Sequence, residues 1–171
     1  MTARSNGPTS SSRRWASAVA HPNIALAKYW GKREGEGNVP AVPSLSVTLS
    51  GMRTTTTVSF DATLVDDELV LNGDLVAGDA RPKVRATQLL DRVRAAASTS
   101  SRARVVSVND FPTASGLASS ASGFAALALA AVHAADLDWS AERVADLARR
   151  SSASAARSIF RSEERRVGKE C

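Results

Sequence analysis

From Thr54 to Phe60 the chain reads TTTTVSF, and from Val42 to Leu49 it reads VPSLSVTL. Apolar and hydroxyl-bearing residues alternate with period two in both, which places one kind on each face of a strand. The intervening Ser50-Gly51-Met52-Arg53 is a plausible turn, so the pattern predicts a hairpin between the two. Ala16–Lys28 mixes small and β-branched residues and is interrupted at His21-Pro22-Asn23, predicting a strand, a turn and a new start. Glu68–Leu71 followed by Asn72-Gly73-Asp74-Leu75 predicts a second, tighter hairpin, because Asn-Gly accepts the positive φ angles of a type I′ turn. Arg104–Val108 (RVVSV) is β-branched throughout and predicts a buried strand.

Helical periodicity appears elsewhere. Val84, Leu89, Leu90 and Val93 recur at helical spacing between Arg81 and Ala97, with Pro82 tolerated in a first turn. An alanine-rich helix is expected to end near His133. Another is expected at Ala141–Arg149, with Ser140 as its N-cap and Glu142 in the first turn, where the helix dipole favours an acid. Strands come first and helices later, so the class is α+β rather than regularly alternating α/β.

Composition narrows the function classes. The chain has 171 residues, 43% of them hydrophobic and 23% charged, which is globular rather than disordered. No apolar run approaches the roughly 20 residues of a membrane helix. Cys171 is the single cysteine and only two histidines occur, excluding a disulfide framework and leaving no zinc-type ligand set. The net charge of +5 comes mostly from Arg4, Arg13 and Arg14, while residues 15–160 carry 15 bases against 14 acids. Bases alternate with acids instead of forming a face, so no nucleic-acid partner is expected.

The ends differ from the body. Residues 1–14 are rich in Ser, Thr, Gly and Arg without periodicity and are expected to be a disordered leader; no signal sequence follows, and the expectation is cytoplasmic. Residues 161–171 (RSEERRVGKEC) change composition abruptly after Ile159-Phe160. They resemble a translated adapter sequence, so the expectation is a non-native tail that packs on nothing, following a truncated domain at 15–160.

Three segments offer donors for an anion. Phe111–Gly123 (FPTASGLASSASG) is a Gly/Ser loop entering a helix N-terminus, where unpaired N–H groups and the dipole favour phosphate. It is neither a Walker A loop nor a dinucleotide fingerprint. Gly116 permits close backbone approach, and Ser119 and Ser120 can bind phosphate oxygens or Mg²⁺. Pro22–Arg33 (PNIALAKYWGKR) gathers Asn23, Lys28, Tyr29 and Lys32 around one turn. Ser151–Ser158 (SSASAARS) sets hydroxyls ahead of Arg157. Each alone also reads as an ordinary polar linker, surface turn or frayed helix end.

Together these segments resemble the diphosphomevalonate decarboxylases of the GHMP kinase superfamily. PNIALAKYWGKR, PSLSVTL, Leu71-Asn72-Gly73 and FPTASGLASSASGFAALA match that family's blocks in order, across Ala16 to Phe160. The family commonly has glycines where Ser151 and Ala153 stand, and asparagine where Asp110 stands. The resemblance implies a GHMP-kinase N-terminal domain (ribosomal protein S5 domain 2-like), a two-layer arrangement of sheet and packed helices. It implies ATP-dependent decarboxylation of mevalonate 5-diphosphate to isopentenyl diphosphate, with ATP and Mg²⁺ as cofactors and a homodimer at full length. By the same resemblance Asn23, Lys28 and Arg157 lie near the reacting hydroxyl and carboxylate. Tyr29, Lys32, Ser152, Ser154 and Arg157 hold the substrate diphosphate. Pro112, Ser115, Gly116, Leu117, Ala118, Ser119 and Ser120 hold ATP, with Ser120 at the metal. The family's catalytic aspartate lies in a C-terminal half that this chain does not contain, so the chain alone is expected to be inactive. A phosphomevalonate decarboxylase, a mevalonate 3-kinase and a non-catalytic nucleotide-binding module are the alternatives.

Overall fold

The protein's structure, a computed structural model, describes residues 14–27, 38, 45–112 and 119–160, together with the backbone of 163–165. In chain order the elements are β1 (Arg14–Ala20), β2 (Asn23–Ala27), β3 (Leu45–Thr48), β4 (Thr54–Asp61), β5 (Glu68–Leu71), β6 (Asp74–Leu75), α1 (Arg81–Ala97), β7 (Arg102–Asn109), α2 (Ser119–Ala134), α3 (Ala141–Ser151), α4 (Ala155–Ile159) and β8 (Glu163–Arg165). A mixed sheet is ordered β6-β5-β7-β4-β1-β8, and β2 and β3 form a separate antiparallel pair. Among the described strands only β5 and β7 run parallel. Such a pair needs a crossover, and α1 lies within it.

The predicted hairpin of Val42–Leu49 with Thr54–Phe60 does not form. β4 is flanked by β1 and β7, so both its edges are taken, and β3 pairs with β2 instead, from Asn23↔Thr48 to Ala27↔Leu45. The β1/β4 ladder ends at Ala20↔Thr54, and β2/β3 resumes beyond it. The two ladders are one antiparallel ribbon bent at His21-Pro22 and at 49–53. Leu49 N donates to Pro22 O at 2.9 Å, and His21 Nδ1 lies 2.8 Å from Met52 O, holding the two corners together. The tight hairpin is as predicted: Asn72 and Gly73 have φ of 51° and 97°, and Val70↔Leu75 pairs across the turn.

One sheet face is buried by period two. Ala16, Ala18 and Ala20 of β1, Val58 and Phe60 of β4, and Ala103 and Val105 of β7 point into the core. Across them lies α2, buried almost all round. Its alanines bring the helix close to the sheet and lose no rotamer freedom on burial. Helix α1 spans the predicted residues and buries Leu89, Leu90 and Val93, but Val84 is 41% exposed and Ala86 takes the inward position.

A buried ion pair, Arg94 with Asp67, sits at the edge of this core. Arg94 donates to both Asp67 carboxylate oxygens at 2.9 Å and to Asp91 Oδ1 at 2.5 Å. Asp67 Oδ1 also accepts from Ala103 N at 2.8 Å. Two boundary expectations change: Arg14, assigned to the leader, opens β1 opposite Phe60, and the tail does not pack on nothing, because Glu163–Arg165 pairs with Val19–Ser17 of β1.

Candidate functional site

Asn23 opens β2 just after the ribbon's bend and is 2% exposed. A buried amide needs partners, and all of them come from the far end of the described chain. Its Nδ2 donates to Ser154 O at 3.0 Å and to Ser158 Oγ at 2.7 Å, and its Oδ1 accepts from Arg157 Nε at 3.3 Å. Burial lowers the pKa of the Arg157 guanidinium. Among the described residues, no carboxylate pairs with it.

Arg157 is carried on α4, which packs against α2 and α3. Before it, the chain leaves α3 through a turn in which Ser152 Oγ and Ser154 Oγ lie 3.3 Å apart. This turn is shaped from outside. Ser152 N donates to Ala148 O at 2.9 Å, Asn38 Nδ2 donates to Arg149 O and Arg150 O, and Arg85 of α1 donates to Ser151 O. Ser151 is 6% exposed and its buried hydroxyl has no partner. The Arg85 guanidinium stacks 4.7 Å over the Phe124 ring. Its pKa is lowered by burial and by the charge of Arg81.

The third segment is more helical than expected. Ser119 and Ser120, assigned to the loop, form the first residues of α2. Ser122 Oγ lies 2.7 Å from Thr54 Oγ1 and donates to Ser119 O at 3.3 Å, and Thr54 donates to Asn109 Oδ1 at 2.6 Å. The start of α2 is thus pinned to the ends of β4 and β7. It has no acid in its first turn, and Ser120 is exposed. Asp110 Oδ1 accepts from Arg53 N at 2.6 Å and Asp110 N donates to Arg53 O at 3.1 Å, a bridge between the chain segments flanking β4 and β7.

The structure therefore joins Asn23, Ser154 and Arg157, with Ser152 beside them, and carries Ser119 and Ser120 at a helix start after Pro112. Lys28, Tyr29, Lys32, Ser115, Gly116, Leu117 and Ala118 lie outside the described residues. The pattern reading missed Arg85, Asn38 and Ser158. Arg85 gives no sequence signal, being one cation on an amphipathic helix, whereas Ser158 follows Arg157 directly and was within reach.

These features sit on a mixed sheet backed by helices, with an acid-free helix start at α2 and, among the described residues, an arginine without an acid partner beside hydroxyls. Residues 20–164 match the diphosphomevalonate decarboxylase-like N-terminal domain, and the chain belongs to that family. It is 44% identical over 144 residues to the phosphomevalonate decarboxylase of Haloferax volcanii, covering 84% of this chain and 44% of that protein. The solved mevalonate diphosphate decarboxylase from Enterococcus faecalis superimposes with a TM-score of 0.79 at 46% identity, over 85% of this chain and 45% of that one. A related structure in complex with MVAPP, AMPPCP and magnesium gives a TM-score of 0.78 at 46% identity, over 85% and 44%. The chain thus spans less than half the length of these relatives.

Proposed function

We propose that this chain is the substrate- and nucleotide-holding part of an ATP-dependent decarboxylase that converts mevalonate 5-diphosphate to isopentenyl diphosphate. The observation that carries the reading is Arg157, a partly buried cation without an acid partner, beside Ser152 and Ser154. Such a group fits an anionic ligand, because a desolvated guanidinium gains most from charge-assisted bonds to phosphate or carboxylate. Ser152, Ser154 and Arg157, with Tyr29 and Lys32, would hold the diphosphate. Lys28 and Arg157 would face the 3-hydroxyl and carboxylate. Asn23, whose amide is spent on α4 and Arg157, would aim Arg157 rather than touch substrate.

The start of α2 fits nucleotide phosphates: its first turn lacks an acid and carries two hydroxyls. Ser120, with Pro112, Ser115, Gly116, Leu117, Ala118 and Ser119, would hold ATP, Ser120 lying at Mg²⁺. Bound Mg-ATP supplies the phosphoryl group for the tertiary 3-hydroxyl, whose later departure as phosphate accompanies loss of CO₂. The protein's contribution is positioning and charge neutralisation, which dominate phosphoryl transfer.

The likeness to the Haloferax volcanii protein favours mevalonate 5-phosphate as a second substrate reading. One assay addresses both. The 171-residue chain, alone and joined to the C-terminal part of the Enterococcus faecalis relative, is given ATP with either substrate, and CO₂ is measured. Release by the joined protein alone, and from the diphosphate, is the expected result; losing a catalytic base typically costs 10²–10⁴ in rate. Robust release by the chain alone, or none by the joined protein, would sink the proposal. Preference for the monophosphate would select the second reading.

A further inference from the structure

The donor turn occupies an unfavourable place for an anion. It follows the C-terminus of α3, where the last carbonyls carry roughly half a negative charge. Ala148 O is covered by Ser152 N, and Arg149 O and Arg150 O by Asn38 Nδ2. Ser151 O is covered by Arg85, the one charged side chain in this set. Arg149 and Arg150 themselves turn back to Asp146. The hydroxyl of Ser151 makes no bond, so residue 151 is held through its carbonyl.

We propose that Arg85 is a positioning residue for the anion site: it fixes the Ser151 carbonyl and cancels the negative end of α3, so that the turn of Ser152 and Ser154 can accept a diphosphate. The assignment rests on the diphosphate reading given above. Arg85 suits the task because its stacking on Phe124 of α2 joins α1, α2 and the turn through one planar group. Among the described residues no carboxylate pairs with it, so its charge stays uncancelled beside the turn.

Inorganic pyrophosphate is the probe, titrated calorimetrically into the 171-residue chain at several salt concentrations, with melting temperatures recorded in parallel. Arg85→Met is expected to weaken pyrophosphate roughly tenfold and to flatten the salt dependence, with little change in melting. Arg85→Lys should keep the salt slope and recover part of the affinity. Arg92→Met removes a cation from the same helix whose bond is to Gln88 O, and should change nothing. Arg157→Ala reports on the underlying site and should nearly abolish binding. If Arg157→Ala weakens binding and Arg85→Met does not, the role of Arg85 is overturned. It is also overturned if both Arg85 variants lose affinity only in step with melting temperature. Unchanged binding in Arg157→Ala, or no binding by the parent chain, overturns the diphosphate reading and the inference with it.

Discussion

Arg94 and Arg157 are both desolvated arginines at helix positions, and they are treated in opposite ways. Arg94 meets Asp67 in a two-pronged contact and Asp91 in a third. Burial works to lower its pKa, but the hydrogen bonds and charges of those acids outweigh it and raise it. Among the described residues Arg157 has only the amide oxygen of Asn23, and burial lowers its pKa. A matched buried charge belongs to the architecture, whereas an unmatched one is tolerated where an anion completes it. In the reading proposed above, Arg94 holds the fold and Arg157 awaits a ligand.

The contrast is broken most severely by Asp67→Ala. Leaving Arg94 buried without its acid should cost about 3–5 kcal/mol, read as a fall in urea midpoint and melting temperature. Arg157→Met should do the reverse, leaving melting intact while kcat/KM of the joined enzyme falls roughly 10²–10³-fold. Loss of stability and function together in both variants would erase the distinction. A smaller effect is expected at the nucleotide end. Ser120→Ala removes one charge-assisted bond worth about 1.5–3 kcal/mol, raising the KM for Mg-ATP in the joined enzyme; unchanged ATP kinetics would transfer the role to Ser119.

The smallest effect concerns Asp146, a half-buried acid between Arg149 and Arg150. Burial, the largest single influence, opposes its ionised form, but the bonds and charges of Arg150 and Arg149 together outweigh it and its pKa is lowered. Its contribution is therefore present above the unfolded value of about 3.9 and is lost as pH falls through the lower folded value. Asp146→Asn should cost only about 0.3–0.5 kcal/mol at neutral pH. The gap in melting temperature should close in acid; a gap that persists at low pH would mean the pair is not electrostatic.

Local chemistry was readable and pairing was not. Pro82 with the periodic leucines delimits α1, and Asn72-Gly73 specifies the tight turn, because each rule acts within a few residues. Alternation in VPSLSVTL says that it is a strand but not which strand it meets. The bend at His21-Pro22 and the one at Ser50-Gly51 give the partner only when seen as two corners of one ribbon. The site divides the same way. Arg157 and its serines stand out as donors in a row, while Arg85 of α1 acts on the first carbonyl of that row and Asn38 on the two carbonyls before it, and neither carries a local mark. Asp67 and Arg94, 27 residues apart, look like ordinary surface charges until the sheet brings them together.

The amide of Asn23 reaches Ser154 and Ser158 across 131 and 135 residues of chain. A ribosome adding about 5–20 residues per second makes the first partner many seconds before the second. In that interval β2 can already pair with β3, and β1 with β4, because those ladders close much shorter loops. The hydroxyl and guanidinium that bond to Asn23 at the ribbon's corner do not yet exist. Assembly of this corner therefore reports that synthesis has passed residue 158, and a nascent chain short of that length carries most of the sheet but not the bonded corner of Asn23, Arg157 and Ser158.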